Sequence, residues 1–322
     1  MRYIISLLTA SLALPALALP TFAEVPRVIT DIPPVHSLVA QVMGDLGQPV
    51  LLLEPGADLH AFQLRPSQAR DLAEADLVVW IGPGLTPWLD RALSGGTAAQ
   101  VRLLEAGGTH LQPYGSDSVH DHAEHDGHDH AEDNGHANAE HDHAEHDGHD
   151  HTGTDPHAWL DPGNAAVWLP LIAADLAARD PDNAATYAAN ARAAIADLAA
   201  LDAELAAVLR PVAGRQFVVF HDAYGYFTAH YGLPPARAIA MGDAASPSAG
   251  QLRDLQATLT PDSCVFPEAN HDPALTVTLI GETGARTGLP LDPEGAVLTP
   301  GPALYADLLR RLGNDIAACL NG

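Results

Sequence analysis

The chain has 322 residues, with 41 Asp and Glu against 15 Lys and Arg, for a formal net charge of −26 at pH 7. So acidic a surface repels a phosphate backbone, which excludes nucleic acid as a partner and makes a cation the natural one. A mature chain of about 300 residues is long for one hydrophobic core, so two lobes are expected.

The first residues, MRYIISLLTASLALPALALPTFAEV, read as a secretory signal over 1–23. Arg2 supplies the positive start, an apolar stretch follows, and Thr21-Phe22-Ala23 offers small residues for cleavage. The apolar stretch is short and carries Pro15, and no later segment reaches the roughly 18 consecutive apolar residues of a membrane span. An exported, soluble protein of the bacterial periplasm is therefore expected. In that oxidising compartment the two cysteines, Cys264 and Cys319, read first as a disulfide, with a thiolate metal site as the alternative.

Short apolar runs at Arg27–Thr30, Val50–Leu53, Leu77–Ile81 and Arg102–Leu104 predict strands, with helices over Val35–Met43, Ser67–Ala75 and Thr86–Leu93 between them. Strand and helix in alternation imply a parallel sheet with crossover helices. The same alternation resumes later, with strands at Gln216–Phe220, Ala238–Met241, Cys264–Phe266 and Gly288–Leu291. Between the two series lies an alanine-rich stretch, Asn164 to Leu209, broken at Asp180-Pro181-Asp182. Its second part, Asn183–Arg210, lacks Gly and Pro and predicts one helix of about 40 Å. The expected fold is α/β, two (βα)4-like lobes with parallel sheets joined by a long spine helix whose lobes move little against each other. The expected boundaries are 24–114 for the first lobe, 115–153 for a disordered loop and 154–182 for the end of the first lobe. The linking helix then takes 183–210 and the second lobe 211–322.

Between Asp117 and His151 stand eleven histidines, twelve carboxylates and no Lys or Arg. The histidines are His120, His122, His125, His128, His130, His136, His141, His143, His146, His149 and His151, and the unit HDHAEHDGHDH occurs twice, at 120–130 and 141–151. With almost no apolar side chains the tract cannot offset its ordering entropy, so it is expected to be disordered without metal. A solvated acidic loop is the plain alternative. The pairing of imidazole with carboxylate at nearly every step favours weak, labile capture of divalent metal.

Four further residues sit where ligands of parallel sheets collect, beyond the carboxyl ends of strands or in a rigid loop. They are His60 in EPGADLHAFQLRPS, His157 in DPHAWLDP, His221 in FVVFHDAYGYF and Asp292 in GLPLDPEG. Each alone could be an ordinary hydrogen-bonded residue; together they suggest a shared site. The order P-G-x-x-x-H-x-x-x-L-R-P-S, His-rich tract, D-P-H-x-W-L-D-P and V-F-H-D-A-Y-x-Y-F resembles the zinc-specific periplasmic solute-binding proteins of bacterial ABC importers (ZnuA type, cluster A-I metal-binding family). The resemblance covers essentially the whole mature chain, including the paired cysteines. It implies one Zn2+ bound between two lobes by His60, His157 and His221, the third imidazole favouring zinc over manganese. Some relatives carry a glutamate ligand where this chain has Leu59, which cannot coordinate. The fourth position then falls to Asp292 or water, with Glu268 the weaker substitute.

The function so implied is a non-enzymatic receptor that captures Zn2+ and delivers it to an inner-membrane ABC permease. It acts as a monomer, and a periplasmic zinc metallochaperone is a further expected partner. A metal buffer or sensor without a transporter is one rival. A zinc-dependent hydrolase is another, disfavoured because no HExxH-like arrangement places a general base beside the ligands.

Overall fold

A computed structural model of the chain describes residues 25–54, 56–57, 59, 62–114, 153–240, 247–281 and 283–322. The expected signal peptide and all eleven histidines of the His-rich tract lie outside the described residues.

The first sheet is built from β1 (Val28–Thr30), α1 (Pro33–Met43), β2 (Val50–Leu51), α2 (Pro66–Ala73), β3 (Leu77–Trp80), α3 (Pro87–Leu93) and β4 (Ala99–Arg102). All pairings are parallel, in the order β2-β1-β3-β4. The central strands, VIT and LVVW, are buried at every position because helices cover both faces of the sheet. The edge strand β4 starts three residues earlier than the sequence suggests. Its AQVR is only half-buried, and the more apolar Leu103–Glu105 forms a single 3₁₀ turn that drops Leu103 into the core. Hydrophobicity marked the turn rather than the strand.

Two helices follow the His-rich tract, α4 (Pro162–Arg179) and α5 (Ala184–Leu209). The Asp161 carboxylate accepts from Gly163 N–H at 2.7 Å, closing the N-terminus of α4 where Pro162 has no N–H to satisfy. The 26 residues of α5 span about 39 Å. Tyr187, Ala191, Ala194, Leu198, Leu201, Leu205 and Leu209 recur every three or four positions and bury one stripe of it.

The second sheet repeats the first: β5 (Phe217–His221), α6 (Gly225–His230), β6 (Arg237–Ala240), α7 (Ala249–Gln256), β7 (Cys264–Val265), α8 (Ala274–Ile280) and β8 (Arg286–Thr287), parallel in the order β6-β5-β7-β8. Here β8 lies before the expected Gly288–Leu291. Pro290 cannot donate to a ladder, and Leu291 makes only an isolated bridge to Glu268.

The last helix, α9 (Leu304–Asn321), runs back across the molecule. Tyr305 N–H donates to Ser37 Oγ of α1, and Ser37 Oγ donates in turn to the Pro302 carbonyl, both at 3.0 Å. Cys264 in β7 and Cys319 in α9 form a disulfide that ties this helix to the second sheet. One continuous apolar core runs from Ile29 and Val78 through Leu201 and Leu205 to Phe217, Phe266 and Leu312, so α1, α4, α5 and α9 bind the lobes into one body.

Candidate metal centre

In the order β6-β5-β7-β8 the chain turns one way from β5 to β6 and the other way to β7. The crevice between the carboxyl ends of β5 and β7 is thus a topological switch point, where open α/β sheets hold ligands. His221 is the last residue of β5, and Glu268 follows β7 by three. They meet at that crevice, with His221 Nδ1 2.6 Å from Glu268 Oε2 and both side chains buried. A carboxylate only accepts, so Nδ1 is the donor and Nε2 is left as the nitrogen that carries the lone pair.

The second imidazole comes from the loop before α4. Asp155 Oδ1 accepts from His157 N–H at 2.9 Å and from His157 Nδ1 at 2.7 Å, so backbone and ring are set by one carboxylate. The loop is gripped from several sides. Tyr226 Oη of α6 donates to the Asp155 carbonyl and accepts from Gln112 N–H, at 2.9 and 3.1 Å. Burial pushes the Tyr226 phenol up to about 12, so it keeps its proton. Trp159 Nε1 donates to the Pro293 carbonyl at 2.8 Å, and Tyr305 Oη to the Trp159 carbonyl at 2.7 Å. The loop, with its 3₁₀ turn at Ala158–Leu160, is thereby anchored through backbone and side chains alike.

The rings of His157 and His221 stand 5.4 Å apart between centroids at 58°. Two imidazoles holding one zinc through Nε2 at about 2.0–2.1 Å with a tetrahedral angle have centroids about 5 Å apart, so the pair is already spaced for an ion. His157 Nε2 is buried and has no hydrogen-bond partner among the described residues. An orphaned nitrogen in such a place is costly unless something else uses its lone pair. Trp159 and Tyr114 lie against the His157 ring, and Tyr224 near the His221 ring, walling the pair with aromatic surface.

The chain matches, over residues 28–319, the family described as "Zinc-uptake complex component A periplasmic". It is 53% identical to the high-affinity zinc uptake system protein ZnuA of Paracoccus denitrificans, with 98% of each chain covered. Against the ZnuA of Brucella suis the identity is 38%, with 91% of each covered. Among solved structures, a crystal structure of ZnuA superposes with a TM-score of 0.69 at 27% identity, covering 91% of this chain and 98% of that one. A deletion mutant of ZnuA with zinc bound gives the same score and identity. The chain belongs to the ZnuA family.

Membership places it among periplasmic components of zinc uptake, which are receptors rather than hydrolases. Of the residues the ZnuA resemblance singles out, His157 and His221 are brought together. His60 lies outside the described residues. Its neighbour Leu59 is buried, and the Leu59 carbonyl accepts from Trp88 Nε1 at 3.0 Å, which pins the chain entering that position. Asp292 stands after Leu291, half-buried, with Oδ1 accepting from Ala296 N–H at 2.9 Å and Oδ2 from Val297 N–H at 3.0 Å. Both oxygens thereby close its own loop. Among the described residues no three His, Cys, Asp or Glu side chains form a metal-holding group. Glu268 is placed at the site, but behind His221. The residue at the site that the sequence did not single out is Asp155; its position two before His157 was the signal, since a short loop can turn such a side chain back onto the ring.

Proposed function

We propose that this chain is the periplasmic receptor of a zinc ABC importer, holding one Zn2+ between its two sheets through His60, His157 and His221 and passing it to the membrane permease. The observation that carries this reading is the buried pair His157 and His221, spaced for one ion, each with its Nδ1 held by a carboxylate. Neutral imidazoles around a d¹⁰ ion in a closed, tetrahedral site suit zinc. The fourth position goes to Asp292 or to water. The His-rich tract provides further, weaker sites. Competition with a chromophoric chelator tests the ligand set: His60→Ala, His157→Ala and His221→Ala should each abolish tight binding while the fold persists, and retention of tight zinc by any of them removes that residue from the set.

Two finer readings accompany this one. The unit that meets the permease is a monomer, which light scattering with and without zinc tests. A periplasmic metallochaperone loads it, which requires zinc to pass between the two proteins faster than it dissociates into buffer.

A further inference from the structure

A three-imidazole shell brings no charge to a dication, and moving a bare 2+ charge out of water is costly without counter-charge nearby. Two carboxylates stand one ring away from where the ion would lie. Asp155, 1% exposed, contacts His157 Nδ1 at 2.7 Å, and Glu268, 6% exposed, contacts His221 Nδ1 at 2.6 Å. They come from opposite sides of the crevice, one from the loop before α4 and one from beyond β7. Each is held by more than its histidine. The Asp155 backbone is clasped by Tyr226 Oη at its carbonyl and by Gln112 at its N–H, 2.9 Å each. Glu268 is bridged to Leu291, whose carbonyl accepts from Ala269 N–H at 2.9 Å.

We propose, resting on the zinc-receptor reading above, that Asp155 and Glu268 are positioning residues of the metal site. Each fixes one imidazole as the Nδ1–H tautomer with the Nε2 lone pair presented before the ion arrives, and together they supply its counter-charge through the rings. Such partners orient a ligand ring and raise its basicity, and their loss typically costs 10–100-fold in metal affinity. Glu268 thereby has a role distinct from that of a ligand. Asp292, whose two oxygens already accept backbone amides, matters less to affinity than either.

The test uses the mature full-length chain. First, long-range ¹H–¹⁵N NMR of histidine side chains in metal-free wild type near pH 7.5 should show His157 and His221 with hydrogen on Nδ1. Finding hydrogen on Nε2 in either ring overturns the proposal without any variant. Second, Glu268→Gln and Asp155→Asn should each weaken zinc 10–100-fold in chelator competition. The visible spectrum of the Co2+-loaded protein should keep its intensity, since the atoms touching the metal are unchanged. Glu268→Asp should lie between wild type and Glu268→Gln, and Asp292→Ala should cost less than either amide variant. A lowered melting temperature with affinity within about twofold of wild type would mean that the carboxylates only satisfy buried N–H groups. A collapse of cobalt absorption in Glu268→Gln would make Glu268 a ligand. If His157→Ala and His221→Ala both keep tight zinc, it is the receptor site itself that is wrong, a failure separate from either of these.

Discussion

His230 is held between two carboxylates outside the metal centre. Its Nδ1 lies 2.8 Å from Asp161 Oδ1 and its Nε2 2.8 Å from Asp202 Oδ1, so it joins α6 to the cap of α4 and to α5. Asp161 Oδ2 is 3.1 Å from His110 Nδ1, and the Tyr231 ring lies edge-on to His230 at 4.8 Å. The Asp161 hydrogen bond, then the one from Asp202, raises the His230 pKa against the opposing effect of burial. A group whose folded pKa is raised contributes stability that is full below its unfolded value near 6.5 and is lost as pH climbs through the folded value. His230→Gln should therefore be less stable than wild type by about 1 kcal/mol at pH 6, with the gap narrowing toward pH 9. Urea unfolding at the two pH values measures it, and a gap that widens with pH contradicts the assignment. For Asp292, whose oxygens cap two amides, replacement by Ala should lower stability by about 1–2 kcal/mol whatever it does to zinc. Thermal unfolding of the metal-free protein isolates that part. His157 and His221, which the structure brings together, could be singled out in the sequence because flanking prolines and a strand end mark where a ligand can stand. Glu268 was not readable as the partner of His221, because 47 residues separate them and only the β5–β7 neighbourhood brings them together.

At the scale of elements, the central strands and the spine helix α5 were legible, and the edge strands β4 and β8 and the last helix α9 were not. VIT, LVVW and FVVF are buried on both faces, so each is an unbroken apolar run, and α5 shows its stripe without interruption. The edges β4 and β8 are half-buried and short, so their pairing depends on neighbours that no local pattern encodes. The seam between α5 and α9 gives a further prediction. Gly313 lies on α9 where an added Cβ would sit 2.6 Å from Leu205 Cδ2, within a stripe that is fully buried. Alanine is the better helix former by roughly 1 kcal/mol, but overpacking a closed seam costs about 1–3 kcal/mol. Gly313→Ala should thus be net destabilising, read as a lower melting temperature. Adding Leu205→Ala should remove the clash, so that the double variant is more stable than the sum of the single effects implies.

At the scale of the whole molecule, two closures hold distant parts of the chain. The Cys264–Cys319 bond encloses a loop with a sequence separation of 55, and in the chain-entropy account such a loop contributes about 4 kcal/mol. Reduction should lower the melting temperature yet leave zinc capture intact, since neither cysteine belongs to the proposed metal site. The second closure stands at the foot of the His-rich tract. Pro113 bridges Thr154 antiparallel, Tyr114 N–H donates to the Gly153 carbonyl at 3.4 Å, and Asp155 N–H to the Gln112 carbonyl at 2.9 Å. Tyr114 and Gly153 therefore stand side by side, with Tyr226 clasping both sides of the stem through Gln112 and Asp155. A tract with so closed a base can be exchanged for a few residues without pulling on Asp155 or His157. Replacing 115–152 with a short Gly-Ser linker should leave the melting temperature within a few degrees of wild type and should retain one tight zinc per chain. The weaker sites should vanish from the titration, and capture of zinc from a competing chelator should slow, because the tethered ligands no longer raise the local concentration. Loss of the tight site in that variant would mean that the tract, and not the stem and lobes, assembles the metal centre.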